Sequence, residues 1–99
     1  MQFESGMMRD PSADKIMYDL AFDGPLIERL AAHLTKGAAK YARQNWMLAT
    51  GDAEKERFRI SAARHFVQWL RGDQDEDHFA AVVFNMNGFE FVRLKQEGK

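Results

Sequence analysis

The segment from Asp75 to about Gln96 constrains this chain more than any other. Phe79, Ala80, Ala81, Val82, Val83, Phe84, Met86, Phe89, Phe91, Val92 and Leu94 all fall within it. A helix of that composition is apolar nearly all round and needs cover on more than one side. A chain of 99 residues with two other long helices has little to cover it with. This predicts self-association around that helix, as a dimer or tetramer. The expected class is all-α: a small helical bundle with an extended N-terminal arm, completed by oligomerisation. Strand signals are weak throughout, and no internal repeat or low-complexity run is visible.

The other helices follow from punctuation and period. Asp23-Gly24-Pro25 reads as a helix start with Pro25 at the first helical position. Leu26, Ile27, Leu30, Ala31 and Leu34 then form an apolar stripe, with Gly37 interrupting or capping the helix. A second helix is expected over 53–70, with Phe58, Ala62, Phe66 and Trp69 on one side and Ala63, Val67 and Leu70 beside them. Arg71-Gly72-Asp73 closes it in the usual C-terminal manner. Residues 1–23 show no clear period and divide off as an N-terminal arm, in which Tyr18, Leu20 and Phe22 alternate as a brief extended segment. Residues 24–99 make the helical nucleotide-binding domain argued for below.

Composition excludes several functions. Lys and Arg number 14 against 15 Asp and Glu, a net charge of −1. That balance gives no global field for a duplex, so a long nucleic acid is not an expected partner. With no cysteine, disulfides, thiolate nucleophiles and thiolate zinc sites drop out. No apolar run approaches the roughly 20 residues that cross a bilayer, and Met1-Gln2-Phe3-Glu4-Ser5 is not a signal peptide. The expectation is a cytoplasmic protein with no membrane partner.

Chemistry concentrates in four places. Lys36, Lys40, Tyr41, Arg43, Asn45 and Trp46 mix cations, an amide and rings: cations neutralise phosphate, a ring stacks on a base, and Asn reads a base edge. Arg64 and His65 sit between Ala62-Ala63 and Phe66-Val67, where a basic pair either snorkels to solvent or binds an anion. His78, Ala81, Asn85 and Gly88 share one face of the last helix. That face reads either as a close helix crossing or as part of a ligand site. Asp73, Asp75, Glu76 and Asp77 read first as a solvated helix cap at the positive end of the macrodipole, and second as a magnesium site.

Taken in order, these pieces resemble a known family. Gly37-Ala38-x-Lys40-Tyr41, Asn45-Trp46, Ser61-Ala62-x-Arg64-His65, Gly72-Asp73-x-Asp75-Glu76-Asp77-His78 and Asn85 follow Ser5-Gly6, Arg9-Asp10 and Lys15-x-x-Tyr18-Asp19-Leu20 in the arm. From about Phe3 to about Arg93 the chain resembles a phage-associated family, that of the N-terminal domain of dATP/dGTP diphosphohydrolase. The resemblance implies a small helical protein of phage-infected bacteria concerned with purine nucleotides. It also implies a relation to MazG-type all-α pyrophosphohydrolases, which hold magnesium with Glu-x-x-Glu on one helix and Glu-x-x-Asp on the next. This sequence departs from that pattern. With Asn85 aligned to the Asn of the second such helix, His78 and Ala81 stand where the acids would be.

Three functions follow as expectations. The first is a non-catalytic nucleotide-binding protein that sequesters a purine nucleotide or a cyclic-nucleotide defence signal and needs no cofactor. Arg9, Lys15, Lys36, Lys40 and Arg64 would meet phosphate, Tyr41 or Trp46 would stack, and Asn45, His65 and His78 would complete the site. The second is a dATP/dGTP diphosphohydrolase using magnesium or manganese, with Asp75 and Asp77, joined by His65 and His78, at the metal. The third is a structural assembly protein. Splitting a phosphoanhydride needs several carboxylates to seat metal ions, and their scarcity here favours the first.

Overall fold

The computed structural model describes residues 2–9 and 15–98. Three helices carry the fold: α1 (Leu26–Lys40), α2 (Asp52–Arg71) and α3 (His78–Gln96). Short 3-10 turns occupy Tyr18–Phe22 and Asn45–Leu48. No strand forms among the described residues, and only an isolated antiparallel bridge joins Gln2 to Met8. The part of the arm expectation that falls on residues 10–14 lies outside the described residues. No helix among the described residues is long and apolar enough to cross a membrane.

α3 is the centre. α2 packs along it and α1 packs on it less extensively, while α1 and α2 make at most marginal contact with each other. The three therefore splay around α3 and do not close into a barrel-like bundle. The radius of gyration is 18.0 Å, against about 13 Å for a compact domain of this length. The buried apolar side chains among the described residues are Ala49, Ala80, Ala81 and Val92. Rings rather than aliphatics fill the rest. Phe84 on α3 lies 4.9 Å from His33 of α1, 6.0 Å from Phe58 of α2 and 6.1 Å from Trp46, centroid to centroid.

The polar and small-residue face of α3 is the one that meets α2. His78, Ala81, Asn85, Gly88 and Val92 are all buried. Gly88 is there because the Phe58 ring lies against it: a Cβ at this position would sit 2.5 Å from Phe58 Cε1. Further along, Lys55 Nζ lies 5.7 Å from the Phe89 ring centroid and donates to Gln96 Oε1 at 2.7 Å.

Helix ends follow local chemistry. Asp77 caps α3, its Oδ1 accepting from the Ala80 N–H at 3.0 Å. Glu54 Oε1 reaches back to accept from the Thr50 and Gly51 N–H groups at the start of α2. Gly72 ends α2 in the left-handed region at φ 80°, where glycine carries no Cβ penalty.

Four expectations shift. Gly37 neither ends nor breaks α1, which runs through it to Lys40 because the helix there is little crowded and Gly37 meets no neighbour within 4 Å. Pro25 is the cap of α1 and not its first helical residue. Tyr18, Leu20 and Phe22 form a 3-10 turn rather than an extended segment. On α2 the face against α3 runs through Phe58, Ala62 and His65, whereas Phe66, Val67, Trp69 and Leu70 remain about half exposed. Phe58 and Ala62 of the expected stripe thus meet α3 while Phe66 turns outward, because α2 is apolar on two sides.

Gly88→Ala should destabilise the fold by about 1–3 kcal/mol, read by denaturant unfolding. A second change, Phe58→Leu, should recover part of that loss by vacating the ring's place.

Candidate functional site

A cleft of about 980 Å³ opens where α1 and α2 diverge. Its floor is Phe84 and Asn85 of α3; one wall is α1 and the segment after it, and the other is the first half of α2. Of the residues expected at the site, Lys36, Lys40, Tyr41, Asn45 and Trp46 line this cleft together. Tyr41 is 64% exposed and has the Lys40 ammonium 5.2 Å from its ring centroid. The ammonium covers one face of the ring, and the exposure of the rest leaves room for a base on the other. Trp46 is half-buried and packs T-shaped with Phe84 and Phe91, which makes it a wall of the cleft and an anchor of its loop. That loop is held from below by Lys95, whose Nζ donates to the Met47 carbonyl at 2.8 Å.

Arg29, His33 and Arg57 also line the cleft, outside the set expected from sequence. The signal was present for two of them. Arg29, His33, Lys36 and Lys40 recur at helical spacing along one side of α1, and that side carries charge into the cleft.

Charge in the cleft is unbalanced once internal pairs are set aside. Arg29 grips Asp77 with two nitrogens, Nε to Oδ2 at 2.8 Å and Nη2 to Oδ1 at 2.5 Å. It also lies over the Phe79 ring at 4.6 Å. Glu54 is engaged at the start of α2. The side chains of Lys36, Arg43 and Arg57 make no hydrogen bond or ion pair with another described residue. Glu76 is the remaining acid in the lining. Burial pushes His33 below the ordinary imidazole value, against the opposing pull of Asp77 and Glu76.

Other expected residues lie elsewhere. Arg9, Lys15 and Arg64 are exposed and do not line the cleft. His65 and His78 pair with each other, Nδ1 to Nδ1 at 2.9 Å, across the α2–α3 contact. His78 Nε2 faces Asp75 Oδ1 at 2.7 Å. Asp75 and Asp77, expected as a metal pair, serve different partners: Asp75 holds His78, and Asp77 holds Arg29 and the start of α3. Asn85 directs its amide N–H to the Ala81 carbonyl at 2.7 Å, so only part of its hydrogen-bonding capacity is open to the cleft.

A family model for the dATP/dGTP diphosphohydrolase N-terminal domain matches residues 5–97. The chain belongs to that family. Neither a curated protein nor a solved structure matches it. This dATP/dGTP diphosphohydrolase-like domain is all-helical, and the match takes in every residue of the cleft.

Asp77 makes the site pH-sensitive at its acid end. The Arg29 guanidinium, followed by the Ala80 N–H, holds its carboxyl at about 2, below the ordinary 3.8. A depressed carboxyl favours the folded state fully above about pH 4, and that contribution disappears as pH falls toward 2. Asp77→Asn should keep the cap yet flatten the dependence of thermal midpoint on pH across this window, as followed by circular dichroism.

Proposed function

We propose that the protein binds a purine nucleotide, or a cyclic oligonucleotide made from purines, in the cleft between α1 and α2 and holds it without cleaving it. One observation carries this reading. Lys36, Lys40, Arg43 and Arg57 line one cleft with an exposed Tyr41, while two of the three cleft carboxylates are already engaged within the protein. Cations of this kind compensate phosphate charge, and an exposed ring takes a base by stacking. Hydrolysis of a phosphoanhydride asks for the opposite arrangement, with several carboxylates converging on metal ions. The cleft volume of about 980 Å³ stands at the upper end for small-molecule sites and suits a ligand of dinucleotide size.

Titration calorimetry against mononucleotides and cyclic oligonucleotides should find a binder, and ligand released by denaturing the complex should be intact. Tyr41→Ala should weaken binding by about 5–150-fold, the worth of one base stack, without changing the helical spectrum. Lys40→Ala should weaken it in a salt-dependent manner. Absence of binding across the panel, or unaltered affinity in both Tyr41→Ala and Lys40→Ala, overturns the reading.

Family membership favours a second reading, a metal-dependent dATP/dGTP diphosphohydrolase. Incubation with dATP or dGTP and magnesium or manganese separates the two. Metal-dependent release of monophosphate, lost in Asp75→Asn, would establish the enzyme.

The binder would work as a homo-oligomer in the cytoplasm of a phage-infected bacterium, removing a nucleotide signal by mass. Support for the oligomer comes from α2, where Ile60, Phe66, Val67 and Leu70 lie about half exposed on one side, an apolar patch of the kind that marks interfaces. Light scattering should give a multiple of 11.4 kDa, reduced to the monomer by Val67→Glu with Leu70→Glu. A monomeric parent protein would remove this part of the proposal and leave the cleft untouched.

A further inference from the structure

The histidine pair between α2 and α3 has no part in the cleft reading. His65 Nδ1 and His78 Nδ1 face each other at 2.9 Å, with side chains 11% and 1% exposed. Only one proton fits between them, so one ring presents a lone pair and the other an N–H. Glu76 Oε1 lies 3.8 Å from His65 Nδ1, and one ligand atom from each of the three residues falls within 4.8 Å of the others. We propose that His65, His78 and Glu76 bind a divalent transition-metal ion of the zinc class, with Asp75 as the carboxylate that orients His78.

Ligand spacing supports an ion in place of the shared proton. Bonds of about 2.0–2.1 Å from two nitrogens 2.9 Å apart meet at roughly a right angle, and parting the rings by about half an ångström gives the tetrahedral angle. His65 then shifts its proton from Nδ1 to Nε2, and no net charge is lost from the pair. Glu76 stands in the loop between α2 and α3 and is 55% exposed, so its carboxylate has freedom to close on the ion.

The surroundings of His78 give a second, independent argument. A metal-bound imidazole donates its other N–H to a carboxylate or carbonyl, which fixes the tautomer and aims the free nitrogen. Asp75 does this at His78 Nε2, 2.7 Å away, and so leaves Nδ1 as the ligand atom. Two imidazoles and a single carboxylate select zinc, cobalt, nickel or copper over magnesium or calcium, which require oxygen donors in number. Asp77, bound to Arg29, takes no part. The ion would tie the inter-helix loop to both helices beside the cleft, because Glu76 also lines that cleft. The site stands whether or not a nucleotide binds.

The test uses untagged protein freed of metal by chelator dialysis. Titration with Co²⁺ should give the intense visible absorption of a low-coordinate site and saturate at one ion per chain. Zn²⁺ should compete with it and raise the thermal midpoint, and Mg²⁺ should do neither. His65→Gln should abolish the cobalt spectrum. Asp75→Asn should lower affinity by about 10–100-fold, as expected for an orienting carboxylate. Asp73→Asn should leave affinity unchanged, because it belongs to the alternative set of Asp73, Asp75 and His78. Should His65→Gln fail to fold, Glu76→Gln, altering an exposed side chain, decides the matter by weakening cobalt binding in a folded protein. No spectral change in the parent protein overturns the proposal, as does a spectrum that survives both His65→Gln and Glu76→Gln or is lost in Asp73→Asn.

Discussion

Everything in this molecule hangs on the contact of the Phe58 ring with the bare backbone at Gly88. Without a Cβ at that turn, α2 comes close enough to α3 for His65, about two turns along α2 from Phe58, to reach His78. The same ring then stands beside Phe84, which also meets His33 and Trp46. One glycine thus positions the floor of the cleft and the buried imidazole pair together. The buried apolar set is small, Ala49, Ala80, Ala81 and Val92, so ring packing and polar pairing supply cohesion that a larger aliphatic core provides elsewhere.

Asp77 links the second helix pair. It starts α3 through the Ala80 N–H and draws Arg29, and with it α1, onto the head of α3. A carboxylate at a helix N-terminus that accepts a bidentate guanidinium has little left to offer a metal ion. Its engagement also removes negative charge from a cleft that Lys36, Arg43 and Arg57 share. The same bond that holds α1 in place therefore sets the sign of the field above α3.

Much of this was legible in the residues, and the failures have physical causes. The grouping of Lys36, Lys40, Tyr41, Asn45 and Trp46 is local in sequence, and local groups survive folding with short distances. The face made by His78, Ala81, Asn85 and Gly88 was equally legible, since helical period alone places it. Pairing between His65 and His78 was not, because it depends on where two helices cross. Period settles only part of α2. It places Phe58 and Ala62 together, but apolar residues lie on two sides of the helix, and nothing in 53–70 says that His65 rather than Phe66 completes the face against α3. Arg64 illustrates the same ambiguity. It neighbours His65 in sequence, yet a step of one residue carries it about a quarter-turn away, out to solvent.

The surplus of apolar surface also falls in a different place from where a one-dimensional reading puts it. α3, apolar nearly all round, is the helix expected to demand partners, yet within one chain α1 and α2 already cover most of it. α2 leaves Ile60, Phe66, Val67 and Leu70 exposed on its outer side, α3 leaves Met86 and Leu94, and the N-terminal arm leaves Ile16, Leu20 and Phe22. α2 uses its more polar side, with Ser61, His65 and Gln68, against its own neighbour. A chain folding to maximise its own apolar burial would turn α2 the other way. The orientation it adopts is instead the one that satisfies two buried imidazoles and admits Phe58 to the glycine gap, so local fit on α3 outweighs apolar area.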